Sequence, residues 1–238
     1  MQRLRPTPQE AEQLELAGDL RAIETAVEVG ATDLSALGFW RLVARIKRDP
    51  VLVHALAEQA GRIDALAFRS RVRRRIPVWA GNVLLLALVA AGVAAIVLSG
   101  IWTGLWAGLA LIAAAVAWSV GVHSPTHWLV GRFAGISFTA YFLGGPPPPR
   151  PGLKTDYATY LLADPGSRAV FHASGAIATK LAPFVALAIS PATNAPGWAV
   201  AVVAVIAVGQ IVTDVLFSRN SSDWKRFARE RSVVRERR

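Results

Sequence analysis

Residues 78–122 read VWAGNVLLLALVAAGVAAIVLSGIWTGLWAGLALIAAAVAWSVGV, and the run stays free of Asp, Glu, Lys and Arg through His123-Ser124-Pro125-Thr126-His127-Trp128 to Gly131. About 20 apolar residues in a helix span the ~30 Å hydrocarbon core of a bilayer. Val78 to Val122 is more than twice that length, which predicts a helical hairpin of two spans. Ser99-Gly100 divides it, and Trp102 and Trp106 follow, where aromatic rings favour the membrane–water boundary. His123 and His127 then lie where the second span returns to the interface.

Downstream, Trp128 to Leu143 can continue a helix in its first half, while Ile136 to Phe142 alternates in a β-branched and aromatic manner that suits a short strand. Gly144-Gly145 and Pro146 to Pro149 end it, the prolines forming a stiff polyproline spacer. Val170 to Ile189 reads as a third span interrupted by Lys180 and Pro183, followed by a small-residue loop from Ser190 to Gly197. Trp198 to Phe217 reads as a fourth, with Gln210 and Asp214 near its end.

Upstream, Pro8 to Val29 carries Ala11, Leu14, Leu16, Ala17, Leu20, Ile23 and Val27 close to a 3.6-residue period, with Gly30 as C-cap. A second helix carries Leu37, Trp40, Leu42, Val43 and Ile46 and stops near Asp49-Pro50. A third runs from Val51 toward Phe68 with Leu52, Ala55, Leu56, Ile63 and Leu66 on its apolar side. Met1 to Gly30 has no apolar run of the signal-peptide kind. The fold class expected is thus an all-α integral membrane protein. It has about four transmembrane helices, a small helical cytoplasmic domain (1–76), and a strand segment at 136–142. The membrane domain covers 77–217 with a cytoplasmic loop at 128–169, and 218–238 forms a basic cytoplasmic tail.

Charge orients this arrangement. Residues 1–76 hold 13 Lys/Arg and 10 Asp/Glu, residues 77–217 hold five and three, and residues 218–238 hold eight and three. Every basic segment falls on one side of a four-span topology, while the turns near Ser99-Gly100 and Ser190–Gly197 are uncharged. The positive-inside rule therefore places both termini in the cytoplasm, with a bacterial or archaeal plasma membrane as the expected location. Arg69 and the cluster Arg71, Arg73, Arg74 and Arg75 precede the first span and suit anionic headgroups, at about 1 kcal/mol per basic residue. The net charge of +10 is explained by topology and lipid, and no nucleic-acid-reading element accompanies it. With no cysteine there is neither a disulfide framework nor a thiolate metal site. Neither a G-x-S-x-G elbow nor a P-loop occurs. Gly-x-x-x-Gly at 104–108 and 131–135 reads as close helix packing.

The topology gathers His123, His127, His172 and Asp214 at one side, Asp214 only ~5 Å inside the end of its span at 1.5 Å per residue. Histidine and carboxylate are ordinary zinc ligands, and His at i and i+4 share a helical face. Ser124-Pro125 is also a helix-start signal. A helix beginning at that point would leave His123 outside it and remove the i, i+4 relation. Lys180 has three readings: it snorkels to the interface, it pairs with Asp214 in competition with a metal, or its helix begins outside the bilayer.

The order of these segments resembles the intramembrane zinc metallopeptidases of the site-2 protease type. A span ends in His-x-x-x-His, here HSPTH. Gly131-Arg132-Phe133-Ala134-Gly135-Ile136 and a short strand follow, then a small-residue segment from His172 to Ala178, then an Asp on a later span. The resemblance covers Gly121 to Phe217. It implies His123, His127 and Asp214 as metal ligands, with zinc as the metal and His172 opening the next span nearby. Ser124 stands where that family has the Glu that activates the metal-bound water, and the family's N-P-D-G is absent around Asp214. The resemblance therefore implies a non-proteolytic relative that binds a metal or a membrane-protein partner at the cytoplasmic interface. The reading from a different class is a membrane-anchored scaffold or complex subunit with no metal site.

Overall fold

The computed structural model describes residues 7–144, 150–216 and 222–237. The chain divides into two compact units. Residues 1–75, 135–165 and 232–238 form the first, and residues 76–134 and 166–231 the second. The spacer at Pro146–Pro149, the last residue of the expected fourth span (217) and the first residues of the tail (218–221) lie outside the described residues.

The first unit begins with three helices close to those expected. α1 (Pro8–Glu28) starts from a capping box: Glu10 donates its amide to the Thr7 hydroxyl at 3.3 Å, and Thr7 donates its own to the Glu10 carboxylate at 2.8 Å. Leu16, Leu20, Ile23 and Val27 form its buried stripe. Gly38, at φ 77°, turns the chain into α2 (Phe39–Ile46), which buries Phe39, Val43 and Ile46. Asp49 then accepts the Val51 amide at 2.7 Å, Pro50 occupies the first turn, and α3 (Pro50–Arg71) follows.

The segment after the second span also belongs to this unit, which sequence periodicity did not reveal. A strand does form, at Phe138–Gly144 rather than Ile136–Phe142, and it pairs antiparallel with Arg150–Thr155. With the two-residue strand Arg75–Ile76 as β1, these are β2 and β3 in a sheet of order β1-β2-β3. A short helix, α7 (Tyr157–Leu162), is capped by Asp156, which accepts the Thr159 amide at 2.9 Å. It packs so closely on α3 that a Cβ at Gly61 would stand 2.8 Å from that of Ala158.

The second unit holds four helices long and apolar enough to cross a membrane: Val78–Ile101, Gly104–Phe133, Pro165–Ala192 and Gly197–Asp214. The first is α4 (Val78–Ile101). The second comprises α5 (Gly104–Gly121) and α6 (His123–Phe133), joined through Val122, whose backbone is itself helical. The hairpin turns at Trp102-Thr103, a little beyond Ser99-Gly100, because Ser99 donates its hydroxyl to the Ala107 carbonyl at 2.8 Å and stays buried inside α4. Small residues allow the close packing. Gly92 seats the Trp118 indole, which donates to the Val89 carbonyl at 3.0 Å. Gly108 seats Trp198.

α8 (Pro165–Ile189) starts five residues before the expected span, and α9 (Gly197–Leu216) closes the four. Leu111, Ala115, Trp118, Ala182, Ala186 and Val203 form the core between α5, α8 and α9. Within the basic tail, Asp223–Glu236 forms a further helix, α10.

Candidate metal centre

Two competing expectations met at Ser124-Pro125, and the backbone decides between them. The helix restarts at His123, so Ser124 and Pro125 both lie in its first turn, where a proline costs no hydrogen bond. Thr126 still donates its amide to the Val122 carbonyl at 3.0 Å. His123 and His127 therefore keep the i, i+4 relation, with ring centroids 4.8 Å apart.

The carboxylate that joins them comes from α10. Asp223 Oδ2 lies 3.3 Å from His127 Nε2 and 3.6 Å from His123 Nε2. One donor atom from each of His123, His127 and Asp223 falls within 4.8 Å of the others, a group that could hold a metal ion. Asp214, placed with the histidines by the resemblance, stands elsewhere. Its Oδ2 is 2.6 Å from Lys180 Nζ and accepts the Trp224 indole N–H at 3.2 Å. The pairing of Lys180 with Asp214 is thus the arrangement found, and α8 also begins earlier than expected. His172 is buried against Phe171, with ring centroids 4.9 Å apart, and is not part of the three-residue group.

The tautomers follow from the partners. His127 Nδ1 lies 2.7 Å from the Phe171 carbonyl, which can only accept, so Nδ1 carries a proton. Thr179 donates its hydroxyl proton to the Gly175 carbonyl at 2.9 Å, which leaves its oxygen to accept from His123 Nδ1 at 3.0 Å. Both imidazoles thus present Nε2 to Asp223. When the rings are neutral, two lone pairs meet a carboxylate, so three acceptor atoms converge. A cation resolves this. It can be a proton, which makes His127 an imidazolium donating to Asp223, or a metal ion that takes all three atoms.

The donor types, two imidazole nitrogens and a carboxylate oxygen, are ordinary metal ligands. Asp223 stands 3.3 and 3.6 Å from the two rings, near the N···O edge of about 3.3 Å that metal bonds of about 2.0–2.2 Å make, while the three donor atoms together span up to 4.8 Å, so an ion would draw them closer. Each ring's Nδ1–H is held by a carbonyl or hydroxyl, as the outer-shell partners of metal-bound histidines commonly do. Burial alone would push the Asp223 carboxyl up. The hydrogen bond to His127 and the charges of His127, His123 and Arg226 more than offset that, holding it below the usual carboxylate range.

The site is shaped by α8 and α10 as much as by α6. A Cβ at Gly175 would collide with the His127 ring, so only glycine leaves room for the imidazole there. α10 is held by a second buried contact, Arg168 Nε to Glu230 Oε2 at 2.7 Å, with side chains 0% and 4% exposed. Asp223 was missed in the sequence because it sits in a segment read only as a basic cytoplasmic tail. The available signal was Ser222-Asp223 ahead of Trp224 and Phe227, an acidic helix start in a basic segment; Ser222 Oγ indeed accepts the Lys225 amide at 3.3 Å.

Comparison of the chain with protein-family models, with curated proteins and with solved structures gives no match.

Proposed function

We propose that this chain is a four-span membrane protein, both termini cytoplasmic, that binds one zinc ion through His123, His127 and Asp223 at the cytoplasmic end of its second span. It is a non-proteolytic relative of the intramembrane metallopeptidases, and its metal centre is a binding or structural one. The observation that carries this reading is the convergence of three acceptor atoms whose partners fix both histidines in the ligand tautomer. Three protein ligands leave a fourth position open, and zinc there would polarise a bound group as a Lewis acid. Proteolysis needs a further base. The position next to His123 holds Ser124, and among the described residues the nearby Glu230 carboxylate is held by Arg168.

The alternative is a scaffold in which a proton takes the place of the metal. The 3.3 Å contact between His127 and Asp223 favours it, because an imidazolium would pair with the carboxylate at that distance. Metal analysis after zinc loading and desalting separates the two. One zinc per chain is expected, lost in His127→Ala and in Asp223→Asn and retained in Asp214→Asn. A zinc-free wild type would leave the scaffold reading, and loss in Asp214→Asn would restore that residue as a ligand.

A further inference from the structure

A groove of about 570 Å³ runs between α8, α9 and α10 of the second unit. Its walls include Ile177 of α8 and Ile211 of α9, 45% and 43% exposed, where an apolar side chain in a span meets lipid. Its other end is polar. Lys180, Asp214, Trp224 and Lys225 all line it. Asp214 Oδ2 is 2.6 Å from Lys180 Nζ and 3.2 Å from Trp224 Nε1, so one carboxylate oxygen is already shared between an ammonium and an indole N–H. Lys225 is exposed, and among the described residues no carboxylate pairs with its ammonium. The groove thus joins an apolar trough to a polar end with one uncompensated positive charge, beside a tryptophan.

We propose that this groove is a binding site for one membrane phospholipid with an anionic headgroup. Its phosphate lies against Lys225 and the edge of the Lys180–Asp214 pair, and its acyl chain lies along Ile177 and Ile211. The volume falls in the range of small-molecule sites, about 300–1,000 Å³. It holds a headgroup and the first part of a chain, and the remaining chain continues into the bilayer. A tryptophan at the level of the headgroups is the usual anchor for such a boundary. Charge sets the selectivity: a zwitterionic choline head would bring its quaternary ammonium toward Lys225, while a phosphatidylglycerol head brings no second cation.

This inference rests on reading the four apolar helices as spans, and not on the metal centre. The test is native mass spectrometry of the full chain in detergent, titrated with phosphatidylglycerol and phosphatidylcholine of equal chain length. Inorganic phosphate serves as the headgroup-only competitor. One phosphatidylglycerol per chain should be retained in preference to phosphatidylcholine. Lys225→Gln should lower retention roughly fivefold, the effect of one basic residue near an anionic lipid surface. Ile211→Trp, which fills the trough, should lower it for both lipids, and inorganic phosphate should not compete. Helical circular dichroism and a monodisperse elution in detergent check that each variant has folded. Equal retention of the two lipids, or retention unchanged in both variants, would overturn the proposal while leaving the spans intact. A chain that remains monodisperse without detergent would overturn the spans and the groove together.

Discussion

At Gly175 a missing methyl group decides whether His127 can stand where it does. The imidazole occupies the space a side chain would need, and its Nδ1–H donates to the Phe171 carbonyl one helical turn away. Gly175→Ala must displace the ring or spread α6 from α8, an overpacking cost of about 1–3 kcal/mol. We expect zinc affinity to fall at least tenfold, by roughly the 1.4 kcal/mol that a factor of ten represents, with helical content unchanged. Zinc titration with a competing chelator measures it. Gly131, in the motif that the sequence reading took as packing, is buried in α6 as well. Tyr141, in β2, is 3% exposed, and burial pushes its phenol up to about 12. Its folded value lies above that of an unfolded chain, about 10, so its contribution to stability is complete below pH 10. That contribution is lost as pH rises through 12. Absorbance titration at 295 nm should show one of the three tyrosines ionising about two pH units late, and Tyr141→Phe should abolish that late step.

Among the elements, α10 is the one whose role a basic composition conceals. Its first residue offers a carboxylate to two histidines, its second donates to Asp214, and Glu230 takes the buried Arg168. An ion pair so enclosed gains little over apolar neighbours, yet breaking one side of it costs about 3–5 kcal/mol because the remaining charge is stranded. Glu230→Gln should therefore destabilise the protein by an amount of that order and weaken zinc binding, since Asp223 lies on the same helix. Arg168→Met combined with Glu230→Met should recover most of both, as read by thermal unfolding with and without zinc. Recovery of stability without recovery of zinc would mean that the ion pair itself, and not only the packing of α10, positions Asp223; zinc binding unchanged in Glu230→Gln would mean that Asp223 is positioned independently of it. α8 shows the complementary lesson. Its early start at Pro165 and the partner it finds for Lys180 make a charged residue in an apolar helix tolerable.

For the molecule as a whole, the uncharged turns provide the topological test. Asn194 donates its amide to the Ser99 carbonyl at 2.9 Å and its side-chain N–H to the Gly100 carbonyl at 2.7 Å, so the ends of α4 and α8 meet. In a membrane these turns share one face, and positive-inside logic makes it the outer one. Ser99 itself is buried and unsuitable for labelling. Cysteines at Thr103 and Ala192, both exposed in a chain with no native cysteine, should react with an impermeant maleimide from outside intact cells. Reaction of either only after permeabilisation would reverse the orientation, and reaction of one alone would remove a span.

The four apolar helices and the first three helices of the N-terminal unit were legible in the chain, because hydropathy and 3.6-residue periodicity are local properties that each segment carries by itself. His123 and His127 were legible for the same reason, being four residues apart on one helix. Even the ambiguity at Ser124-Pro125 was local, and a proline in a first turn resolves it. The third member of the group was not. Asp223 lies 96 residues from His127, and nothing in a one-dimensional pattern distinguishes it from Asp214 as the carboxylate that meets the histidines. That choice is made by packing. Lys180 draws Asp214 away, Arg168 draws Glu230 and α10 inward, and Gly175 clears the space in which His127 can face Asp223. The strand at 136–142 was legible to within two residues, but its partner β3 was hidden, because strand pairing depends on the neighbour rather than on a segment's own sequence. Tertiary structure decides such matters because the free energy of a buried charge depends on which opposite charge reaches it, and reach is a property of the fold.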